Sequence, residues 1–498
     1  MGGVPGPGGS QTTTDAQGRY RLLLSAGAYD VTAGAFGYTS QAVHNRTVIT
    51  GQTTVQDFTL TALPTGQVAG TVREEGSGSP VSATLTVLGT PVTTTASPTD
   101  GSYNIALPGG VYTLHVRALG YRVVTATLIV TAGETTAYSF TLTPIPRILL
   151  VDSGRWYYRS QIGYYREALD GMAYAYDEWA VKHPPADTPV ITDLLPYDLV
   201  IWSAPEDSPG YVGANGTITR YLSAGGNLFL SGQDVGYWDG GGSGSTYAPY
   251  YETHLYARFV KDDAGSRQVV GLTGTLFAGL TMTIEGAGGA DNQRWPDVIT
   301  VTNPDYAAPV LRYEGDGSAG QQVGLCRPYR ALYLAFGFEA INDVATRQEV
   351  MRRSLDWFVG PRQAVGLEAR AVSTTPLVGP PGGVITHWVR VRNTGEVGGK
   401  DTVHLALDGA DWSTTILTPT FSLAPCQALT VPIRVTIPAT ATWDQANRFT
   451  LTVRSTVSPA LQLALPLTSK APAPVLLVDD DRWYPQEQVY QGALEAAG

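Results

Sequence analysis

The chain repeats itself, and the repeat limits what its first third can fold into. Gly18-Arg19-Tyr20 returns as Gly101-Ser102-Tyr103, Tyr29 as Tyr112, and Gly37-Tyr38 as Gly120-Tyr121, all at one offset of 83 residues. Each unit closes on a strand-like run, Phe58-Thr59-Leu60 or Phe140-Thr141-Leu142. Leu114, Val116 and Ala118 alternate with His115 and Arg117. A period of two marks half-buried strands. The glycines suit turns with positive φ, and the tyrosines suit a sandwich core with the hydroxyl at its rim. The second unit, 65–144, opens on the strand-like Gly66-Gln67-Val68-Ala69-Gly70-Thr71-Val72. The first, 1–62, has a Gly/Pro loop there instead, so it is expected to be a partial module in which the chain begins.

These residues, with Thr99-Asp100-Gly101-Ser102-Tyr103 as the central motif, are similar to the carboxypeptidase regulatory-like domain. The resemblance implies a transthyretin-like β-sandwich without catalytic function.

A second repeat spans the chain. Ile148-Leu149-Leu150-Val151-Asp152-Ser153-Gly154-Arg155-Trp156-Tyr157 returns as Val475-Leu476-Leu477-Val478-Asp479-Asp480-Asp481-Arg482-Trp483-Tyr484. A helix-like run follows each copy, at Tyr164–Leu169 and Val489–Leu494. One strand and one helix cannot bury their own apolar faces, so 473–498 reads as the truncated start of a second α/β domain.

The first copy opens a longer alternation over 145–360. An apolar strand ends at Asp152, a helix covers 160–172, and strands follow at Tyr174–Val181, Tyr197–Trp202 and Asn227–Leu230. A helix at 211–223 stops at Gly225-Gly226, and a later strand, Ala331–Phe336, precedes a helix at Ala345–Phe358. Alternating β and α elements predict a doubly wound parallel sheet. LLVD, YDLVIW, GGNLFLSGQD and the final helix resemble a flavodoxin-like or class I glutamine amidotransferase-like domain. In that class the nucleophile is a Cys on a tight turn, and the turn here, Gly232 to Gly236, holds Asp234 instead.

Asp234 with His254 as its base is therefore the weak catalytic candidate. The plainer expectation is that Asp234 caps a turn. No cofactor is expected, although Ca²⁺ at Asp152 and Asp234 is possible chemistry for carboxylates at strand ends. Neither H-E-x-x-H nor G-x-S-x-G occurs. Trp238, Tyr247, Tyr250 and Tyr251 flank the glycine loop Gly240–Gly244 and suggest sugar stacking or aromatic packing.

The segment 364–470 again alternates, through Val384–Gly395, Asp411-Trp412 and Leu429–Pro438. It resembles a NEW3-type Ig-like β-sandwich, with Cys426 where that family has Gly. Cys326 and Cys426 fall in different expected domains, so no disulfide is expected between them.

Net charge is -11 and charged residues are 15%, below the roughly 25% of an average soluble protein. With no basic run, nucleic acid is excluded as a partner. No segment reaches the roughly 18 apolar residues of a membrane helix, and the N-terminus lacks signal-peptide character. The fold class expected is multidomain, with transthyretin-like and Ig-like β-sandwich modules flanking one flavodoxin-like α/β domain. Such modules occur in tails of secreted bacterial subtilisin-like or metallo-peptidases. The resemblances imply a non-catalytic accessory region, extracellular or at the cell surface, with a glycan or protein partner. The alternatives are an amidotransferase-like hydrolase at 232–236 and a carbohydrate-binding adhesin.

Overall fold

The computed structural model describes residues 9–244, 247–315, 317–473 and 487–497. The first repeat supplies β1 (Gly27–Ala33), β2 (Tyr38–Thr39), β3 (Gln41–Val48) and β4 (Thr61–Ala62). They pair only as two-stranded ribbons, β1 with β3 and β2 with β4. No described residue before position 63 is buried.

The second repeat is a complete sandwich. Its strands are β5 (Thr65–Glu74), β6 (Thr84–Val87), β7 (Thr93–Thr95), β8 (Ser102–Pro108), β9 (Gly110–Arg117), β10 (Val124–Val130), β11 (Thr135–Ala137) and β12 (Phe140–Leu142). One sheet runs β10-β9-β6-β7. In the other, β5 is central: β8 pairs antiparallel on one side, and β11 and β12 parallel on the other. The inward side chains of both sheets, among them Val68, Val72, Leu85, Leu114, Val116 and Phe140, form the core.

The α/β region follows as β13 (Ile148–Asp152), α1 (Ile162–Gly171), β14 (Tyr176–Ala180), α2 (Ile191–Leu194), β15 (Leu199–Ser203), α3 (Asn215–Ser223), β16 (Asn227–Ser231), α4 (Val235–Asp239) and α5 (Pro249–Thr253). It continues with β17 (Ala257–Lys261), β18 (Gln268–Gly271), β19 (Thr281–Thr283), β20 (Val298–Val301), β21 (Ala307–Tyr313), β22 (Ser318–Val323), β23 (Ala331–Leu334) and α6 (Val344–Val359). Five parallel strands run in the order β14-β13-β15-β16-β23. β13 is apolar on both faces because both faces are covered. Ile148 and Leu150 pack with α1 and α6, while Leu149 and Val151 are equally buried on the opposite face. Each such side chain contributes roughly 1.5–3 kcal/mol.

The sheet then continues antiparallel from β22, making eleven strands. Six of them, β17 to β22, were not among the strands expected from sequence. They are short and interrupted by glycines, so their period is weak.

The chain forms two compact units. One comprises Met1–Thr302, Ala308–Val323 and Tyr329–Val359; the other comprises Asn303–Ala307, Gly324–Pro328 and Gly360–Gly498. The second unit contains β24 (Leu367–Ala371), β25 (Leu377–Val378), β26 (Val384–Asn393), β27 (Asp401–Asp408), β28 (Thr414–Ile416), β29 (Thr420–Leu423), β30 (Ala428–Thr436), β31 (Ala446–Ser455) and β32 (Gln462–Lys470). Its two sheets, β24-β26-β30-β28 and β25-β32-β31-β27-β29, enclose a core that includes Trp412. A helix, α7 (Glu487–Ala497), lies where the second helix-like run was expected. The preceding Val475–Tyr484, with Asp479 to Asp481, lies outside the described residues.

The expectation for the cysteines is overturned: Cys326 and Cys426 form a disulfide, with Cα atoms 5.6 Å apart. The segments 303–307 and 324–328 belong to the same unit as Cys426. Asp305 is gripped there by Arg390 in a bidentate pair at 2.8 and 2.7 Å. Glu396 accepts from the Cys326 N–H at 3.1 Å and pairs with Arg362.

The bridge spans 100 residues of sequence, and closing a loop that long is worth up to about 4.7 kcal/mol. Cys426→Ser is therefore expected to destabilise the second unit by roughly 3–5 kcal/mol. Urea unfolding of the whole chain, with and without reductant, measures this. An unchanged midpoint would refute a stabilising role.

Candidate functional site

Counted from β13, the parallel strands run two-one-three-four-five. The chain leaves β13 for β14 on one side, while β15, β16 and β23 lie on the other. Loops leaving β13 and β15 therefore diverge, and the crevice between them is where open α/β sheets bind ligands.

Asp152 ends β13 and stands in register with Ser203, which ends β15, so both side chains project to the same face. Asp152 Oδ2 accepts from the Ser160 hydroxyl at 2.5 Å. Asp207, four residues beyond β15, accepts at Oδ2 from the Ser153 hydroxyl at 2.6 Å and the Trp156 indole N–H at 3.1 Å. The Oδ1 atoms of Asp152 and Asp207 and the Ser203 hydroxyl are buried and make no hydrogen bond.

Asp239, at the end of α4, organises the neighbouring loop. It accepts from the Ser208 hydroxyl at 2.6 Å, the Gly210 N–H at 3.0 Å and the Tyr250 hydroxyl at 2.6 Å. A Cβ at Gly210 would lie 2.2 Å from Asp239 Oδ1, so only glycine fits.

These braces present aromatic rings. Trp156 and Tyr211 lie nearly parallel, 20° apart with centroids 6.0 Å apart. Tyr211 meets Trp238 at 4.7 Å. Tyr211 is 45% exposed and Tyr158 is 95% exposed, while Trp156 and Trp238 are half-buried. Tyr250 and Tyr251, expected as stacking candidates, are fully buried. Tyr250 is held by Asp239, and the Tyr251 ring packs edge-on against Tyr333. Sequence inspection missed Asp207, Trp156 and Tyr211, although the strand order would have pointed to the loops that carry them.

Burial shifts the carboxyls of this edge upward. Burial pushes Asp207 up to about 7, with Asp239 and Asp152 adding to the rise. Burial raises Asp152 and Asp239 as well. Asp234 rises to about 7 through burial and then through Asp262, Glu206 and Asp207.

The catalytic pairing of Asp234 with His254 is not formed. Asp234 lies just beyond the C-terminal end of β16, with an ordinary φ of -110°. His254 hydrogen-bonds Ser223 at 2.9 Å and Thr253 at 2.8 Å. Ser223 ends α3, before β16 begins, and Tyr329, just ahead of β23, donates to the His254 carbonyl. His254 therefore sits at the opposite edge of the sheet. The side chain of Asp234 makes no cap either. Asp297 caps α4 instead, accepting from the N–H groups of Gly236 at 2.6 Å and Tyr237 at 3.2 Å. Gln233 ties the same turn to the carbonyls of Pro205 and Asn292. Among the described residues, no group of three or more His, Cys, Asp or Glu side chains is placed to hold a metal ion.

The carboxypeptidase regulatory-like domain model matches residues 4–61 and 67–143, the two segments delimited by the internal repeat. Bacillopeptidase F of Bacillus subtilis (strain 168) is 35% identical over 116 residues, 23% of this chain and 8% of that protein. The aligned part thus spans under a tenth of that relative's length. Among solved structures, the PapD-like domain 7 of human CEP192 is 16% identical, covering 24% of this chain and 89% of its own, at TM-score 0.18. A FixG-related protein from Vibrio parahaemolyticus is 9% identical, covering 23% and 99%, at TM-score 0.17.

A carboxyl whose folded pKa exceeds its unfolded value binds extra protons when folded. That stability is fully present below the unfolded value and is lost as pH rises through the folded one. With Asp207 and Asp234 at about 7, the α/β region is expected to be less stable at pH 8 than at pH 5.5. Each carboxyl costs up to about 1.4 kcal/mol per pH unit in that window. Glu349, held low by Arg352 and Arg353, acts only in more acidic solution. Asp207→Asn is expected to flatten the pH dependence of the urea midpoint. An unaltered slope would remove Asp207 as its source.

Proposed function

We propose that the chain is a non-catalytic accessory region of an exported multidomain protein, with sandwich modules as spacers and the α/β region as a binding module. The parallel strand order supports placing that region with flavodoxin-like and class I glutamine amidotransferase-like domains. The alternation that runs through Asp411-Trp412 to Pro438, with Trp412 buried in the core, supports a NEW3-type reading of the second unit. One observation carries the non-catalytic reading: the turn that bears the nucleophile in such domains holds Asp234, with unstrained backbone, while His254 is at the far edge.

The disulfide supports export, because such bridges persist mainly in oxidising compartments. No helix among the described residues is long and apolar enough to cross a membrane. Likeness to part of Bacillopeptidase F supports attachment to a peptidase. The module's ligand, on this reading, is a saccharide that stacks on Trp156, Tyr211 and Trp238. Of the three rings Tyr211 is the most open, at 45% exposed, and it lies 20° from Trp156 and 54° from Trp238.

Two experiments test this reading. The chain and its Asp234→Asn variant are expected to be equally inactive against a panel of peptide, ester and amide substrates; turnover lost on substitution would overturn the non-catalytic assignment. On a glycan array, Trp156→Ala and Tyr211→Ala are each expected to weaken binding by about tenfold or more. Absence of any glycan signal from the unsubstituted chain would rule out the saccharide.

A further inference from the structure

One histidine of the second unit is buried where a positive charge has no partner. His387 on β26 is fully buried beside Phe449 of the core. Its Nε2 is hydrogen-bonded to the Ser469 hydroxyl on β32 at 2.9 Å. β26 and β32 belong to opposite sheets, so this bond joins the two layers across the core. The Phe449 ring meets the imidazole edge-on at 5.6 Å and 83°. His387 Nδ1 is buried and makes no hydrogen bond. Asn447 stands opposite Ser469 in the pairing of β31 with β32. The N–H groups of Asp411 and Trp412 already donate to its Oδ1. What remains is its Nδ2 donor, itself buried and unpaired.

Among the described residues, the strands packed around His387 turn their charges away from it. The period of two puts Val389 and Val391 on the inward face of β26 with His387, and Arg390 and Arg392 on the other face, where they hold Asp305. Glu368 and Arg370 on β24 stand opposite Arg392 and Arg390, on that same outer face. On β30 the residue opposite His387 is Ile433, and Arg434 points outward. On β31, Arg448 and Arg454 alternate with the inward Phe449 and Val453. Lys470 on β32 follows Ser469 and pairs with Asp444 at 2.6 Å. β25 contributes Leu377, the partner of Ser469. The buried acid of this unit, Asp401, accepts from Ser455, which lies further along β31 from Phe449 by roughly 20 Å. His404, the other histidine of the unit, is exposed on β27.

An imidazolium donates from both ring nitrogens, and at Nδ1 it would meet no acceptor. An aromatic edge and a neutral hydroxyl cannot replace the water that the charge gives up on burial. We propose that His387 is an acid-operated latch: a proton on its imidazole drives the ring toward water and parts the two sheets of the second unit along β26 and β32. This goes beyond the spacer reading, because it gives the sandwich a condition under which it opens. Burial lowers the His387 pKa from the ordinary 6.5. A histidine lowered in this way contributes stability that is fully present above its unfolded value. That stability is lost as pH falls from there toward the folded value. The α/β region responds in the opposite sense, because Asp207 and Asp234 are raised to about 7. Mild acid therefore loosens the sandwich while it strengthens the α/β region.

The test follows amide exchange of the whole chain by mass spectrometry from pH 7 to pH 5, corrected for the intrinsic pH dependence of exchange. The opening constant of amides on β26, β31 and β32 is expected to rise by up to about tenfold per pH unit below 6.5. That of β13 to β16 is expected not to rise. In His387→Gln, which keeps a polar group for Ser469 but cannot charge, the rise is expected to vanish. Should that variant not fold, exchange of the imidazole C2 hydrogen in the unaltered chain reads the titration of His387 directly. Three outcomes overturn the latch: a flat response of the unaltered chain, an undiminished rise in the variant, or a His387 that titrates at or above 6.5. A rise of equal size on β13 to β16 also overturns it, because the trigger would then lie outside the sandwich.

Discussion

A carboxyl group shut away from water and offered only neutral donors governs the chemistry of the α/β region. Asp207 accepts from a hydroxyl and an indole N–H. Neutral donors recover only part of the hydration that a carboxylate loses on burial. The group answers by keeping its proton up to about 7, and Asp152, Asp239, Asp297 and Glu339 are raised by burial in the same way. A carboxyl in this condition makes a good brace: Asp207 fixes the Trp156 indole, and Asp239 folds the loop that carries Tyr211. It makes a poor nucleophile, since the protonated form is unreactive.

Central strands impose a comparable constraint on the sheets. β13 is buried on both faces, so its apolar run is uninterrupted and its first polar residue, Asp152, marks the edge at which a site can form. β5 is paired on both edges, and its glycines exist because carbonyls of neighbouring chain pass too close for a side chain. Where such a strand is present, both repeat sheets close on a dry core.

Legibility in the sequence followed the strength of each periodic signal. The repeat units, the parallel strands and α6 could be read because duplication and continuous apolar runs are strong patterns. β17 to β22 could not, because short antiparallel strands broken by Gly265, Gly274 and Gly279 show little period. The disulfide was missed because sequence boundaries assigned Cys326 to the α/β region. The pairing of Asp305 with Arg390 places that loop in the second unit, a long-range contact that no local pattern announces. The site was half legible: Asp152 was visible at a strand end, but Asp207 stands in an irregular loop, and its role emerges only from its partners. Asp234 drew notice by occupying a motif position, although Asp297, sixty-three residues further on, does the capping expected of it.

The same carboxyls narrow the chemistry of a ligand in the crevice. Asp152, Asp207 and Asp239 repel phosphate and carboxylate whenever they ionise, so an anionic ligand is disfavoured. A hydroxyl group both donates and accepts, so a polyhydroxyl ligand is compatible with either protonation state of a carboxyl that titrates near 7. Stacked aromatic faces then supply the apolar contact that such a ligand needs on its C–H face. On the proposed reading, the burial that makes a carboxyl at this edge a poor nucleophile is the same feature that suits the edge to a neutral ligand.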